Sequence, residues 1–109
     1  MVETKETNIY TLRSKNILKG SEDMVREFII TNEQGLHARP ATSLVQKANH
    51  YKSDLSISYD GNTTDLKSIM GVLSLGIVRG SLVSIRIEGE DEVEAMKEIS
   101  NFITQLNLK

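Results

Sequence analysis

From residue 24 onward the chain switches repeatedly between two hydrophobic periods. VREFIIT (25–31) is rich in β-branched and aromatic residues and predicts a strand. Beyond His37, the apolar residues Ala41, Leu44, Val45, Ala48 and Tyr51 recur at intervals of three and four, which predicts an amphipathic helix. DLSISY (54–59) changes to period two, with Leu55, Ile57 and Tyr59 on one face and serines on the other. DGN (60–62) is a hairpin turn signal, because Gly61 accepts a positive φ, and NTTDL (62–66) follows as the partner strand. SIMGVLSLG (68–76) predicts a short apolar helix with Ser68 as N-cap and Gly76 as its stop. SLVSIRIEG (81–89) alternates again and sets Leu82, Ser84, Arg86 and Glu88 opposite Val83, Ile85 and Ile87. DEVEAMKEISNFITQL (91–106) closes the series. Asp91 and Glu94 form a variant of the capping box, and Val93, Met96, Ile99, Ile103 and Leu106 make up the expected buried stripe.

The predicted order is therefore β-α-β-β-α-β-α. Short, half-polar strands need a covering layer on one side only, so helices are expected on a single face of a mainly antiparallel sheet. The fold class is α+β, an open-faced sandwich. Residues 1–23 lack any sustained period and separate from the regular part at Met24. They are read as an N-terminal extension, either a leader or a segment translated from an upstream start, in which NIYTL (8–12) is the one fragment capable of a short helix or an added edge strand. The domain itself is expected over residues 24–109.

Composition narrows the function. At 109 residues, with 39% apolar and 26% charged residues, the chain is globular and of one-domain size. A formal charge of -2 and the lack of any basic run argue against a nucleic-acid or membrane-surface ligand. There is no cysteine, which excludes a disulfide scaffold and thiol catalysis and suits a reducing compartment. Neither a signal-peptide block nor a membrane-length apolar run is present in the sequence, so the expected setting is the cytoplasm.

The candidate chemistry lies in GLHARPA (35–41), which holds the only proline and one of two histidines. Proline is tolerated in the first turn of a helix, so Pro40 fixes the helix start near Ala38 and puts His37 at or beside the N-cap. The positive end of the helix dipole disfavours the imidazolium form there, leaving a neutral, nucleophilic ring. The same backbone N–H groups can receive an anion, and Arg39 adds a planar fork for phosphoryl oxygens. Nucleophile, anion cradle and countercharge thus come from one segment, a combination suited to transient attachment of phosphate to a ring nitrogen. The competing reading is a plain capping or surface histidine. Zinc is disfavoured by two histidines without cysteine or clustered carboxylates, and no metal or other cofactor is expected. His50, at the far end of the same helix, is assigned a favourable C-terminal charge and no chemistry.

A second candidate site is LKSIMGVLSLG (66–76). Ile69, Met70, Leu73 and Leu75 are too many for one buried stripe on so short a helix, so part of this set is expected at the surface as a docking patch. Phosphate on Ser68 would add roughly -1.5 to -2 charges at a helix start, favourable for the helix yet disruptive to an acidic partner.

GLHARPA, followed about thirty residues later by KSIMGVLSLG and then by IEGEDEVEA, resembles HPr, the histidine-containing phosphocarrier family of the bacterial sugar phosphotransferase system. The resemblance covers Met24 to Lys109, and KSIMGV looks like the low-GC Gram-positive branch. It implies a four-stranded antiparallel sheet with three helices on one side. It also implies that His37 takes a phosphoryl group on Nδ1 from enzyme I, at the expense of phosphoenolpyruvate, and yields it to sugar-specific IIA domains. Arg39 matches the arginine that neutralises that group, and Ser68 matches the serine phosphorylated by the HPr kinase/phosphorylase. Ile69, Met70 and Leu73, with Pro40 beside the histidine, match the docking surface for enzyme I, IIA domains and the catabolite control repressor. Such a protein is a covalent relay rather than a turnover enzyme, and a monomer is expected.

Two features depart from the family pattern: the extension, and Gln46 and Asn49 where many relatives carry a lysine or arginine that grips acidic partners. The alternative function is a regulatory binding module that works mainly through phospho-Ser68 as a transcriptional corepressor. Regulators of that kind replace the histidine, and His37 is present here.

Overall fold

The computed structural model describes residues 24–108; the extension 1–23 and its NIYTL fragment lie outside the described residues. Strand β1 spans Met24–Ile29, helix α1 Ala38–Ala48, strand β2 Asp54–Tyr59, strand β3 Asn62–Asp65, helix α2 Ile69–Ser74, strand β4 Leu82–Glu88 and helix α3 Glu92–Asn107. The four strands form one antiparallel sheet in the order β1-β4-β2-β3, so β4 enters the centre last and zips two earlier pieces together. The expected element order and α+β class are both present.

Alternation along β4 shows why one face alone is covered. Val83, Ile85 and Ile87 are fully buried, whereas Leu82, Arg86 and Glu88 are exposed. Register carries this pattern across the sheet: Ile85 lies opposite both Arg26 of β1 and Ile57 of β2. Ile57, Leu44 and Val45 of α1, Val72 of α2, and Met96, Ile99 and Ile103 of α3 complete a continuous core. Each buried aliphatic side chain of this kind stabilises by roughly 1.5–3 kcal/mol relative to exposure. The β2–β3 turn puts Asp60 at φ 52° and Gly61 at φ 83°, two consecutive left-handed residues, as the tightest two-residue hairpin demands.

Four local expectations are corrected. β1 stops at Ile29, because Ile30 leaves the ladder to pair with the loop before β4: its N–H bonds Ser81 O at 2.9 Å and its carbonyl accepts from Gly80 N at 2.6 Å. Leu66 lies beyond β3 yet is buried, with its N–H on Leu55 O. Val93 is 55% exposed rather than core, and Ala95 takes the buried position in that turn. The Asp91–Glu94 capping box does not form. Asp91 makes no side-chain cap; its carboxylate turns back to the N–H groups of Lys52 (2.8 Å) and Ser53 (3.0 Å) and to the Ser53 hydroxyl, while Glu92 accepts from Gly89 N. A long-range loop closure outcompetes the local cap. These bonds hold the Asp91 carboxyl below the usual carboxylate range, the Ser53 hydroxyl contributing most.

Candidate functional site

The connection from β1 to α1 is built by hydrogen bonds from both sides. Gly35 N donates to Asn32 O at 3.1 Å, and Asn32 Nδ2 donates to Gly35 O at 3.0 Å. Leu36 N donates to Ile77 O at 3.0 Å, and its side chain is fully buried. Gly35 has φ +62°, and a Cβ there would press on the backbone of Ile77 and Val78. The glycine is needed for both reasons: only a residue without a side chain adopts this turn and lies this close to the opposing loop.

His37 follows in extended conformation (φ -123°, ψ 163°) as N-cap of α1, as expected from Pro40. Its ring makes no side-chain capping bond and is half-buried, so it is neither sealed in the core nor spent on the helix start. Ala38 has φ 52°, a left-handed residue bearing a Cβ, which costs about 1–2 kcal/mol. The turn from extended histidine into helix is therefore strained at the residue after His37, a feature no sequence signal announces. Arg39 is exposed on the first turn and Pro40 is buried beneath it.

Ser68 is N-cap of α2, and its Oγ accepts from Gly71 N at 3.0 Å, the geometry expected for a capping serine. Beyond it, Met70 is 75% and Ile69 40% exposed, Leu73 is half-buried and Val72 is core. The apolar patch anticipated on this helix is thus real for Ile69 and Met70 and partial for Leu73. Pro40, grouped with them for docking, is buried and offers the least surface of the four. Gly76, at φ +68°, ends the segment.

A groove along α1 and α3 is lined by Ser68 at one end and, at the other, by Arg39 and Pro40, the residues that follow His37. A cleft of about 960 Å³ is lined by Lys47, Lys67, Ser68, Met70 and Phe102, among others. A depression of about 500 Å³ is lined by Arg39, Pro40, Ser43, Phe102 and Leu106. Ser43, Phe102 and Leu106 border both, so the surface runs from Arg39 to Ser68 without a break in its floor.

Three polar residues of this region carry structural weight that pattern reading did not assign. Asn49, noted only as a missing cation, donates from Nδ2 to Val45 O (2.9 Å) and Lys67 O (3.2 Å), tying the end of α1 to the residue before Ser68. Lys67 Nζ donates to Tyr51 O at 2.7 Å. Asn32 is 7% exposed, and its Oδ1 has no hydrogen-bond partner among the described residues, an omission that costs about 1–3 kcal/mol. Asn after a strand reads only as a loop residue, and no pattern along the chain announces its burial.

Electrostatics around the groove centre on Glu98. It accepts from the Tyr51 hydroxyl and pairs with Lys47 at 3.5 Å. The Tyr51 bond holds the Glu98 carboxyl below its usual range and raises the phenol to about 12. Lys47 also lies over the Phe102 ring, 5.7 Å from its centroid. His50 is exposed just past the end of α1 and joins no metal-like cluster; among the described residues no group of three or more His, Cys, Asp or Glu could hold a metal ion.

A family profile described as the PTS HPr component phosphorylation site matches residues 24–105. The chain belongs to the HPr family. HPr-C-His from Thermoanaerobacter tengcongensis is 38% identical with a TM-score of 0.75, the match covering 78% of this chain and 96% of that one. The phosphocarrier protein HPr of Bacillus anthracis is 37% identical with a TM-score of 0.73, covering 76% and 99%. A Mycoplasma histidine-containing phosphocarrier protein is 33% identical with a TM-score of 0.74, covering 77% and 96%. The four-stranded sheet and three helices described above are the fold of these HPr proteins, and the match begins at Met24, where the hydrophobic pattern begins.

Proposed function

We propose that this HPr-family protein carries a phosphoryl group on His37, taking it from phospho-enzyme I and passing it to sugar-specific IIA domains. The bond between donor and phosphorus breaks as a P–N bond forms on the ring, and the reverse exchange releases the group to the acceptor. The observation that carries this reading is the state of His37 itself: a half-buried N-cap histidine whose ring caps nothing, in a member of a phosphocarrier family. Arg39, exposed one turn-start further, supplies a guanidinium for the phosphoryl oxygens. Ile69, Met70 and Leu73 form the docking surface at the other end of the groove.

Ser68 is the regulatory position in this proposal. It is half-buried, and its hydroxyl already faces a backbone N–H, so phosphate there extends a capping interaction while placing charge beside Ile69 and Met70. The HPr kinase/phosphorylase would install it, and the catabolite control repressor would read it. The protein acts as a monomeric cytoplasmic relay without a cofactor of its own; no helix among the described residues is long and apolar enough to cross a membrane.

Incubation with enzyme I and phosphoenolpyruvate should give an acid-labile, base-stable adduct that a IIA domain removes. If His37→Ala takes up as much phosphate under the same conditions, the proposal is wrong. Phosphate transfer to IIA also separates this reading from a regulatory module, which would bind its repressor through phospho-Ser68 with no need of His37.

A further inference from the structure

We infer that Asn32 is a positioning residue for phosphoryl transfer, acting through the peptide unit that precedes Leu36 to set the direction of His37. This rests on His37 being the phosphoryl acceptor. The Gly35–Leu36 peptide is planar, so fixing both its polar groups fixes its orientation. Its carbonyl is held by Asn32 Nδ2 at 3.0 Å, and its N–H is held by Ile77 O at 3.0 Å. Asn32 also accepts from Gly35 N through its own carbonyl, so one residue answers both backbone groups of Gly35. With that plane clamped and the Leu36 side chain locked in the core, little rotational freedom remains before His37.

Asn32 is itself rigidly placed. Two residues earlier, Ile30 is bonded through both backbone groups to Gly80 and Ser81, and Thr31 N donates to Asn107 Oδ1 at 2.8 Å. As a contributor to stability the side chain is a poor choice, since it makes one hydrogen bond and buries an Oδ1 without a partner. An apolar residue would remove the orphaned Oδ1 but would leave the Gly35 carbonyl without its donor. What an amide supplies there, and an apolar residue does not, is a donor aimed at the Gly35 carbonyl. Its position also borders the small depression of about 260 Å³ formed with Glu33, Gln34, Pro40 and Leu106, away from the exposed side chains of Ile69 and Met70. The inference therefore predicts an effect on transfer without an effect on docking.

The test uses the full chain with Asn32→Ala and the nearly isosteric Asn32→Asp, phosphorylated by enzyme I and phosphoenolpyruvate. The maximal transfer rate should fall on the order of ten- to a hundredfold, as misplacement of a reacting group does. The KM for this protein should stay within about twofold, because uniform binding is untouched. The ring ¹⁵N resonances of His37 should move in both variants, and both should stay folded at the assay temperature, with melting temperatures lowered because the Gly35 carbonyl loses its donor. In Asn32→Asp the rate relative to the unsubstituted protein at the same pH should recover as pH falls and the introduced carboxyl regains a proton to donate, a relative pH profile that no loss of packing reproduces. Folded variants with unaltered rate and ring resonances overturn the inference. Failure of both to fold overturns it as well, because Asn32 is then a residue of stability. If the unsubstituted protein accepts no phosphate, the proposed function falls instead, and the ring resonances alone decide whether Asn32 orients His37.

Discussion

Replacing Gly35 with alanine should damage the protein far more than the addition of one methyl group suggests. The new Cβ would lie 2.8 Å from Val78 Cα and 3.1 Å from the Ile77 carbonyl carbon, closer still to the Ile77 oxygen, and all three atoms are backbone. None can swing aside as a flexible side chain would. The left-handed conformation at φ +62° adds about 1–2 kcal/mol for a residue with a Cβ. Forcing the two loops apart adds about 1–3 kcal/mol of overpacking. Separation also weakens the Leu36 N–H to Ile77 O bond, worth about 1 kcal/mol. The combined loss is about 3–6 kcal/mol, a large share of the 5–15 kcal/mol by which domains are typically stable.

Urea denaturation gives the measurement, with the midpoint and slope read separately so that a change in the unfolded state is not mistaken for a change in stability. The control is Gly76→Ala. Gly76 has nearly the same torsion, φ +68°, yet nothing lies within 4 Å of its built Cβ, so it reports the conformational penalty alone, about 1–2 kcal/mol. The difference between the two variants isolates the loop–loop contact. Equal losses, or a Gly35→Ala loss below about 1 kcal/mol, would refute the claim that the histidine loop is seated by direct backbone apposition.

Three further outcomes are expected. Ser68→Ala should lower stability by about 0.5–2 kcal/mol by stripping the α2 cap, whereas Ser68→Asp, which can still accept from Gly71 N, should unfold near the wild-type midpoint. Because the folded Tyr51 phenol titrates at about 12 rather than 10, its bond to Glu98 stabilises fully below pH 10; that contribution should fade between pH 10 and 12, and Tyr51→Phe should flatten the stability profile over this range. Asp91 has the opposite sense: its depressed carboxyl contributes above the ordinary pKa of 3.8 and is lost as acid is added below it, so Asp91→Asn should be less stable at neutral pH and lose less on acidification.

What could be read from sequence was whatever depends on neighbours close along the chain. The helix positions Ala41, Leu44, Val45 and Ala48 are all buried, Ser68 and His37 both occupy N-cap positions, and alternation in β4 divides core from solvent as its pattern indicates. Failures occur where a distant partner outcompetes a local one. Asp91 sits three residues before an acidic side chain and still turns its carboxylate to Ser53, which lies 38 residues away in sequence. Val93 fits the helical period but is exposed, and Ala95 is the buried residue of that turn. Asn49 reads only as a missing cation and acquires its role when Lys67 is brought against it, whereas Asn32 bonds within its own loop, to Gly35, and nothing in its pattern distinguishes it from an ordinary loop residue. The left-handed Ala38 has no signature at all, because alanine is the residue least expected to adopt it.

These distant contacts also explain how one small surface can serve two chemistries. Of the groove's lysines, Lys47 is paired with Glu98, whereas Lys67 donates to the neutral Tyr51 carbonyl and keeps its charge. A dianionic phosphate at Ser68 would exceed the single charge of Lys67 and would place negative charge beside the exposed Ile69 and Met70, while the α2 N–H groups keep the helix intact. The His37 loop is anchored elsewhere, on Asn32, Ile77 and Val78, and shares no hydrogen bond with the Ser68 turn. Modification at one end of the groove should consequently change which partner docks without altering the placement of the ring at the other. A shift of the His37 ring resonances in Ser68→Asp as large as that in Asn32→Ala would contradict this separation, because it would require the two helix starts to move as one.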